Sequence, residues 1–347
     1  MKRLLIVVSL AFLSTAAVAQ VVDRDTVVTP EGTVYTIETQ TPSASAQIDA
    51  TSVLNLSIQN AADLSHVIVP ESASAGFHFG GALAYDADSK TLFIIWIHMP
   101  NAMSSEILLA SYHAGKWQPA VSIDVHSGNI WRSNLRLGIT RRVSQLQKDG
   151  SYADVPALLL HALWWNDAGS GEDARYAMLP IENGALSQSS IEIHSLEEFV
   201  LPGDDKYNDV GANFNAEILR HPAIVSSPMQ STVDVVFGDT KNNAIHSVTL
   251  HPIADSRIHI PIGISAGQPI GAPRSLSAPA NFTANWSGPV SVLARADRLV
   301  FANATDKALN YLTYSNGKWT DVKSIPTDSK FPAEAALAAL DKMVSTQ

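Results

Sequence analysis

The residue pattern predicts an all-β protein, a β-propeller of about five blades, with a two-sheet β-sandwich as the alternative. Three observations point there. First, from Gly80 onward a short aliphatic and aromatic run, a polar turn and a second such run keep recurring, as antiparallel hairpins do. The clearest pairs are Thr91–Ile97 with Glu106–Tyr112, Ala157–Trp165 with Ala174–Leu179, Thr232–Phe237 with Ala244–His251, and Arg298–Ala302 with Leu309–Tyr314. Second, the leading strands of these pairs begin 66, 75 and 66 residues apart. Third, Tyr112-His113-Ala114-Gly115-Lys116-Trp117 ahead of Ser122-Ile123 is matched by Tyr314-Ser315-Asn316-Gly317-Lys318-Trp319 ahead of Ser324-Ile325. The offset is a constant 202 residues. This reads as one hairpin used twice: a Tyr-ended strand, a Gly turn, and a returning strand opened by a Trp that covers a hydrophobic layer. Repeated antiparallel units with aromatics in register are how propellers stack sheets around an axis. A sandwich has as many strands but no reason for the repeat.

Taken in order, the chain opens with Lys2-Arg3, an apolar stretch from Leu4 to Leu13, and the small-x-small site Ala17-Val18-Ala19. This has the form of a secretory signal peptide over 1–19, and its apolar run is too short to span a bilayer. Cleavage after Ala19 leaves 328 of the 347 residues, destined for the periplasm or the medium. Residues 20–75 combine Val- and Thr-rich strands with a Ser/Ala/Thr/Gln stretch from Thr39 to Ala50 that reads as a flexible linker or long loop. They supply either a fifth blade or a strand that closes the propeller. Residues 76–347 form the propeller body. At 66–75 residues per unit this body holds four units, whereas shorter blades would allow six. Pro332 followed by an Ala/Leu-rich run predicts a short helix over 332–343.

Composition narrows the chemistry. There is no cysteine, which excludes a disulfide scaffold, a thiol nucleophile and thiolate metal sites. Without Lys2 and Arg3, the mature chain has 21 basic residues against 33 acidic ones. That balance, with no basic stripe, does not suit nucleic acid. No glycine-rich phosphate loop occurs, so no nucleotide cofactor is expected. The 11 histidines contain no His-x-His and no His-Glu-x-x-His, and no metal site is assigned. His78, His98 and His161 lie in apolar strand text and read as hydrogen-bonded core residues.

Three stretches carry polar candidates. In Trp131-Arg132-Ser133-Asn134-Leu135-Arg136, strict alternation puts Arg132, Asn134 and Arg136 on one polar face. Paired guanidiniums around an amide suit an anionic ligand such as a carboxylated sugar. The acidic loop from Asn166 to Arg175 offers Asp167, Glu172, Asp173 and Arg175 to a hydroxylated or cationic group. A hard cation such as calcium is an alternative occupant. Trp131 and Trp286 lack a repeat partner and are the tryptophans best suited to stacking on a sugar, whereas Trp117 and Trp319 recur as scaffold. None of the charged candidates reads as buried, so each is expected to tolerate Ala.

The Leu-x-x-x-Trp strands (Leu92 to Trp96, Leu160 to Trp164), the Gly-Lys-Trp turns and Leu160-His161-Ala162-Leu163-Trp164-Trp165-Asn166-Asp167 resemble exported bacterial β-propellers of the sialidase-like (BNR/Asp-box) superfamily. The resemblance covers about 80–325. It lacks the Ser-x-Asp-x-Gly-x-x-Trp box, and no spacing assigns a catalytic set. Two functions follow as expectations. One is an exported binding or scaffold propeller, with a saccharide or cell-envelope component as partner. The other is a glycan-active hydrolase or lyase on the same scaffold. A third reading is an all-β surface protein without a small ligand.

Overall fold

The computed structural model describes residues 24–40, 52–60, 62–128, 131–167, 172–187, 191–195, 223–226, 231–239, 244–250, 252–255, 261–264, 274–277, 290–295, 298–304, 307–315, 318–331, 335–337, 339–340 and 343. Those residues build five β-sheets, so a two-sheet sandwich does not describe the architecture.

Sheet one is a meander of β1 (Arg24–Val28), β2 (Val34–Gln40), β3 (Val53–Gln59) and β4 (Leu64–Ile68). The N-terminal segment thus supplies a whole sheet rather than a single strand. The proposed linker begins later than Thr39, since Thr39 and Gln40 pair with Leu54 and Val53; its remainder, 41–50, lies outside the described residues. A 3-10 turn, Pro70–Ala73, leads to sheet two: β5 (Phe77–Asp86), β6 (Thr91–Asn101), β7 (Ser104–His113) and β8 (Lys116–Ser127).

Sheet three begins with β9 (Trp131–Leu146), β10 (Tyr152–Asp167) and β11 (Glu172–Glu182), with β12 (Ala185–Leu186) and β13 (Glu192–Ser195) both paired to β11. Sheet four contains β14 (Ala223–Ser226), β15 (Val233–Asp239) and β16 (Ala244–Leu250). The chain then leaves it for a hairpin, β17 (Pro252–Asp255) and β18 (Pro261–Ile264), before β19 (Arg274–Ser277) returns to pair with β16. That hairpin joins sheet three, where β17 runs parallel to the end of β9. Sheet five is β20 (Val290–Arg295), β21 (Arg298–Ala304), β22 (Ala308–Ser315) and β23 (Lys318–Trp319), with β24 (Lys323–Pro326) also on β22.

All four hairpins read from the sequence are present, as β6 with β7, β10 with β11, β15 with β16, and β21 with β22. The repeated hairpin also recurs in register: Tyr112 pairs with Trp117 across β7 and β8, and Tyr314 with Trp319 across β22 and β23. Ala114 and Gly115 have φ of 49° and 79°, a two-residue turn whose twist matches the strands it joins. Asn183 and Gly184, at 54° and 80°, repeat that turn between β11 and β12.

The sheets pack through their leading strands. β1 touches β5, β5 touches β9, β9 touches β14, and β14 touches β20. The layers between them are apolar. Ile37, Leu54 and Leu56 of sheet one pack with Leu83, Ile94 and Trp96 of sheet two. The other face of sheet two, with Phe93, Ile95 and Ile107, packs with Leu135, Leu160 and Trp164 of sheet three. Residues 335–337, 339–340 and 343 are helical, and Ala336 and Leu340 pack against Val300, Ala302 and Leu309 of sheet five. Among the described residues no helix is long and apolar enough to cross a membrane.

Candidate functional site

Five of the seven sequence candidates fall at one end of sheet three. Trp131, Asp167 and Glu172 stand in a row across β9, β10 and β11, and Arg132, Asn166 and Asp173 form the next row. Arg175 lies opposite Trp164. Trp286 lies outside the described residues.

The arginines do not share a face. An irregularity in the β9–β10 register shifts the pairing, so Arg132 opposes Asn166 while Arg136 opposes Leu163. Odd and even positions of β10 point to opposite sides, so Arg132 turns toward sheet two and Arg136 turns away. Strict alternation along β9 fails for this reason.

Arg132 is also buried, against expectation, with 1% of its surface exposed. Its Nη2 donates to Asp124 Oδ2 at 2.6 Å and its Nη1 to the Asp124 carbonyl at 3.2 Å. Burial pulls its pKa down, Asp124 opposes that shift, and the Arg175 charge adds to it. This guanidinium joins β8 to β9 across two sheets, so Ala at this position would strand Asp124 as well as empty a packed layer. The Arg132 Nε–H, the Trp164 Nε1–H and Asn166 Oδ1 are buried without protein partners, so each is a place for an ordered water.

Arg136 belongs to a different group. Its charge acts on Asp25 of β1, a carboxylate that the sequence reading passed over. Asp25 Oδ2 accepts the Leu83 backbone N–H of β5 at 2.7 Å, and Oδ1 accepts the Thr26 N–H at 2.9 Å. Burial raises the Asp25 carboxyl above its ordinary value, against the hydrogen bonds and Arg136, which lower it. Arg136 Nη1 donates to the Leu135 carbonyl at 2.8 Å. Strands β1, β5 and β9 thus contribute a carboxyl, the backbone N–H that binds it, and a guanidinium whose charge acts on it. Such a pair can offer a carboxyl and a planar fork of donors to vicinal hydroxyls or to a carboxylate. The available signal was Asp25 itself, the one acid within the strand Arg24–Val28.

Other charged groups are already committed. Arg141 of β9 grips Asp86 of β5 through Nε and Nη2, both at 2.6 Å, and reaches Asp88 at 2.8 Å. The carboxylate of Asp86 has 1% of its side-chain surface exposed, and its bonds to Arg141 and Ser89 outweigh burial and hold its pKa down. This is a clamp between sheets two and three. Among the described residues no group of three or more His, Asp or Glu could hold a metal ion.

No family model matches the chain, and no curated protein sequence does. Solved structures show distant likeness to several carbohydrate-active enzymes. A thermostable family-43 glycoside hydrolase is 11% identical with a TM-score of 0.39, over 88% of this chain and 93% of that one. The NanB sialidase from Streptococcus pneumoniae is 12% identical with a TM-score of 0.32, over 87% and 51%. A puromycin-hydrolyzing peptidase from Mycobacterium tuberculosis is 9% identical with a TM-score of 0.35, and this chain spans 86% of itself but only 37% of the peptidase. At these scores the likeness carries no chemistry across.

Proposed function

We propose that the chain is an exported five-bladed propeller, each sheet one blade, which recognises an acidic saccharide where its leading strands converge. The observation that carries this reading is the Asp25 carboxyl of β1, bonded to the β5 backbone and within the field of the Arg136 guanidinium of β9. A guanidinium recognises a sugar carboxylate, and a neighbouring carboxyl recognises hydroxyls. The signal-like residues 1–19 would deliver the protein to the periplasm or the medium, where such glycans are met. Asp167, Glu172, Arg175 and Trp131 would extend the contact surface from the end of sheet three, with Trp286 as a stacking platform.

A second reading has its own support: the raised Asp25 carboxyl. An acid that keeps its proton to higher pH beside a fixed positive charge is a reactive arrangement, and it favours a glycan hydrolase or lyase on the same scaffold. One experiment serves both readings. The mature protein is titrated calorimetrically with uronate-containing and neutral oligosaccharides, and the mixtures are assayed for new reducing ends and unsaturated uronates. Binding of the acidic set alone, lost in Arg136→Ala, supports recognition. New ends that vanish in Asp25→Asn support the enzyme. Equal binding of both sets, or none, removes the acidic-saccharide reading.

A further inference from the structure

Sheets one and two are joined by a strap, residues 69–77, held by the side chains of Ser52, Glu71 and Ser72. Val69 is fully buried in the layer between the two sheets, with Leu54, Leu83 and Trp96. The Ser72 hydroxyl donates to the Val69 carbonyl and accepts the Leu54 N–H, at 2.7 and 2.9 Å. Glu71 accepts the Ala120 N–H of β8 at 3.0 Å. Ser52 ties off the far end: its N–H donates to the Gly76 carbonyl, and its hydroxyl bonds the His78 backbone on both sides, at 2.7 and 2.8 Å.

Two histidines close the strap from inside. The His78 and His98 rings stack with centroids 4.1 Å apart and planes within 5°. His78 is fully buried. Its Nδ1 accepts the Trp96 indole N–H at 3.2 Å, so the ring's one proton sits on Nε2, which faces the hydroxyl and carbonyl of Ser74 at 3.2 and 3.3 Å. His98 Nε2 faces the Ala75 carbonyl at 3.0 Å and its Nδ1 faces Glu106 at 2.7 Å. Gly76 passes so close that a Cβ there would lie 2.7 Å from His98 Nε2. Each ring therefore has one nitrogen on the sheet and one on the strap.

We infer that the stacked His78–His98 pair is an acid-sensitive latch, which holds the strap while His78 is neutral and releases it when that ring takes a second proton. The physics is local. A proton on Nδ1 would point at the Trp96 N–H, donor against donor, and would place a cation against a second imidazole. The groups facing His78 are His98 of β6, Glu106 of β7, which favours the proton, and uncharged Ser74, Ser52 and Trp96. Burial and His98 together hold His78 down to about 4. Release would uncover Val69 and the apolar layer between sheets one and two.

Hydrogen exchange of the full mature protein, corrected for intrinsic rates, tests this from pH 7 to 3.5. Protection of the Ser52, Val69, Ser72 and Ser74 amides should fall as the latch opens, by up to about tenfold for each pH unit from the ordinary histidine value near 6.5 down to the His78 value of about 4, and level off below it. Protection in β10 should persist over the same range. His78→Gln supplies an acceptor and a donor without a titration, and should make the strap insensitive to pH. If that variant fails to fold, ring-nitrogen chemical shifts of His78 in the native protein decide instead: they should move together with the strap amides. Strap protection that survives protonation of His78, or that is lost only with the whole fold, overturns the proposal.

Discussion

At the scale of single residues, the interior holds polar side chains whose protons are fixed by their partners. His161 is fully buried, with Nε2 at 2.8 Å from Thr140 Oγ1 and Nδ1 at 2.7 Å from the Tyr176 hydroxyl. Burial holds His161 down to about 3 and raises Tyr176. The folded ring therefore refuses a proton that the unfolded chain accepts below about pH 6.5. Stability is complete above that pH and falls as pH drops toward 3, by up to ~1.4 kcal/mol per pH unit. Urea unfolding at pH 7 and pH 5 should show a loss of roughly 1–2 kcal/mol from this residue alone, reduced in His161→Gln. A wild-type slope unchanged by that substitution would mean the ring is protonated in place. The core setting of His78, His98 and His161 was legible from their apolar neighbours. Their partners were not: Glu106 and Tyr176 come from the neighbouring strand of the same hairpin, in a register and on a face that the sequence does not give, and Ser74 comes from the turn four residues before His78.

At the scale of elements, hairpins were more legible than leading strands. The pairs β6 with β7 and β10 with β11 announce themselves through adjacent apolar runs and a polar turn, and the Gly-Lys-Trp turn repeats in register. Leading strands carry another burden: their backbones approach the next sheet, which selects small residues and breaks the apolar pattern. Gly138 of β9 shows this. A Cβ there would overlap Ile224 Cγ2 and lie 2.7 Å from Ser226 Oγ of β14, and the neighbouring Ile139 N–H bonds that same Ser226 hydroxyl at 2.8 Å. A Cβ on Gly81 of β5 would likewise lie 2.9 Å from Ile37 Cγ1 of sheet one. Gly138→Ala should therefore wedge sheets three and four apart and destabilise the protein by about 1–3 kcal/mol. Thermal unfolding measures this, with Gly150→Ala as the control for left-handed strain, since that glycine has φ of 83° and open space around it. A Gly138→Ala protein as stable as wild type would remove the close contact. The irregularity that parts Arg132 from Arg136 belongs to this scale too: one shifted residue reverses a face, and alternation in a sequence cannot reveal the shift.

At the scale of the whole molecule, the question is whether five sheets in series form a row or a ring. The chain of contacts runs β1, β5, β9, β14, β20 through the leading strand of each sheet, with β2 and β3 also against β5 and β6 also against β9. Packed sheets lie about 10 Å apart. In a ring, β20 of sheet five returns to within about one such spacing of β1; in a row, the two ends are about four spacings, or ~40 Å, apart. The ring also explains the convergence of Asp25 and Arg136, because leading strands of a ring surround an axis and face one another across it, and a row has no such axis. The absence of cysteine from the sequence makes the measurement simple, since two introduced thiols are the only sites for labels. Spin labels at Thr26→Cys in β1 and Ser291→Cys in β20 should give a short distance by pulsed electron resonance, near the lower limit of the method once label arms are added. A pair in neighbouring strands, Thr26→Cys with Ala84→Cys in β5, calibrates the spacing of one sheet. If the first distance matches the second, the ring is closed and the leading strands form the wall of one central site. A value near four times that spacing would leave an open stack, and the acidic-saccharide site would then have to be sought at the end of sheet three, where Trp131, Asp167, Glu172 and Arg175 stand together.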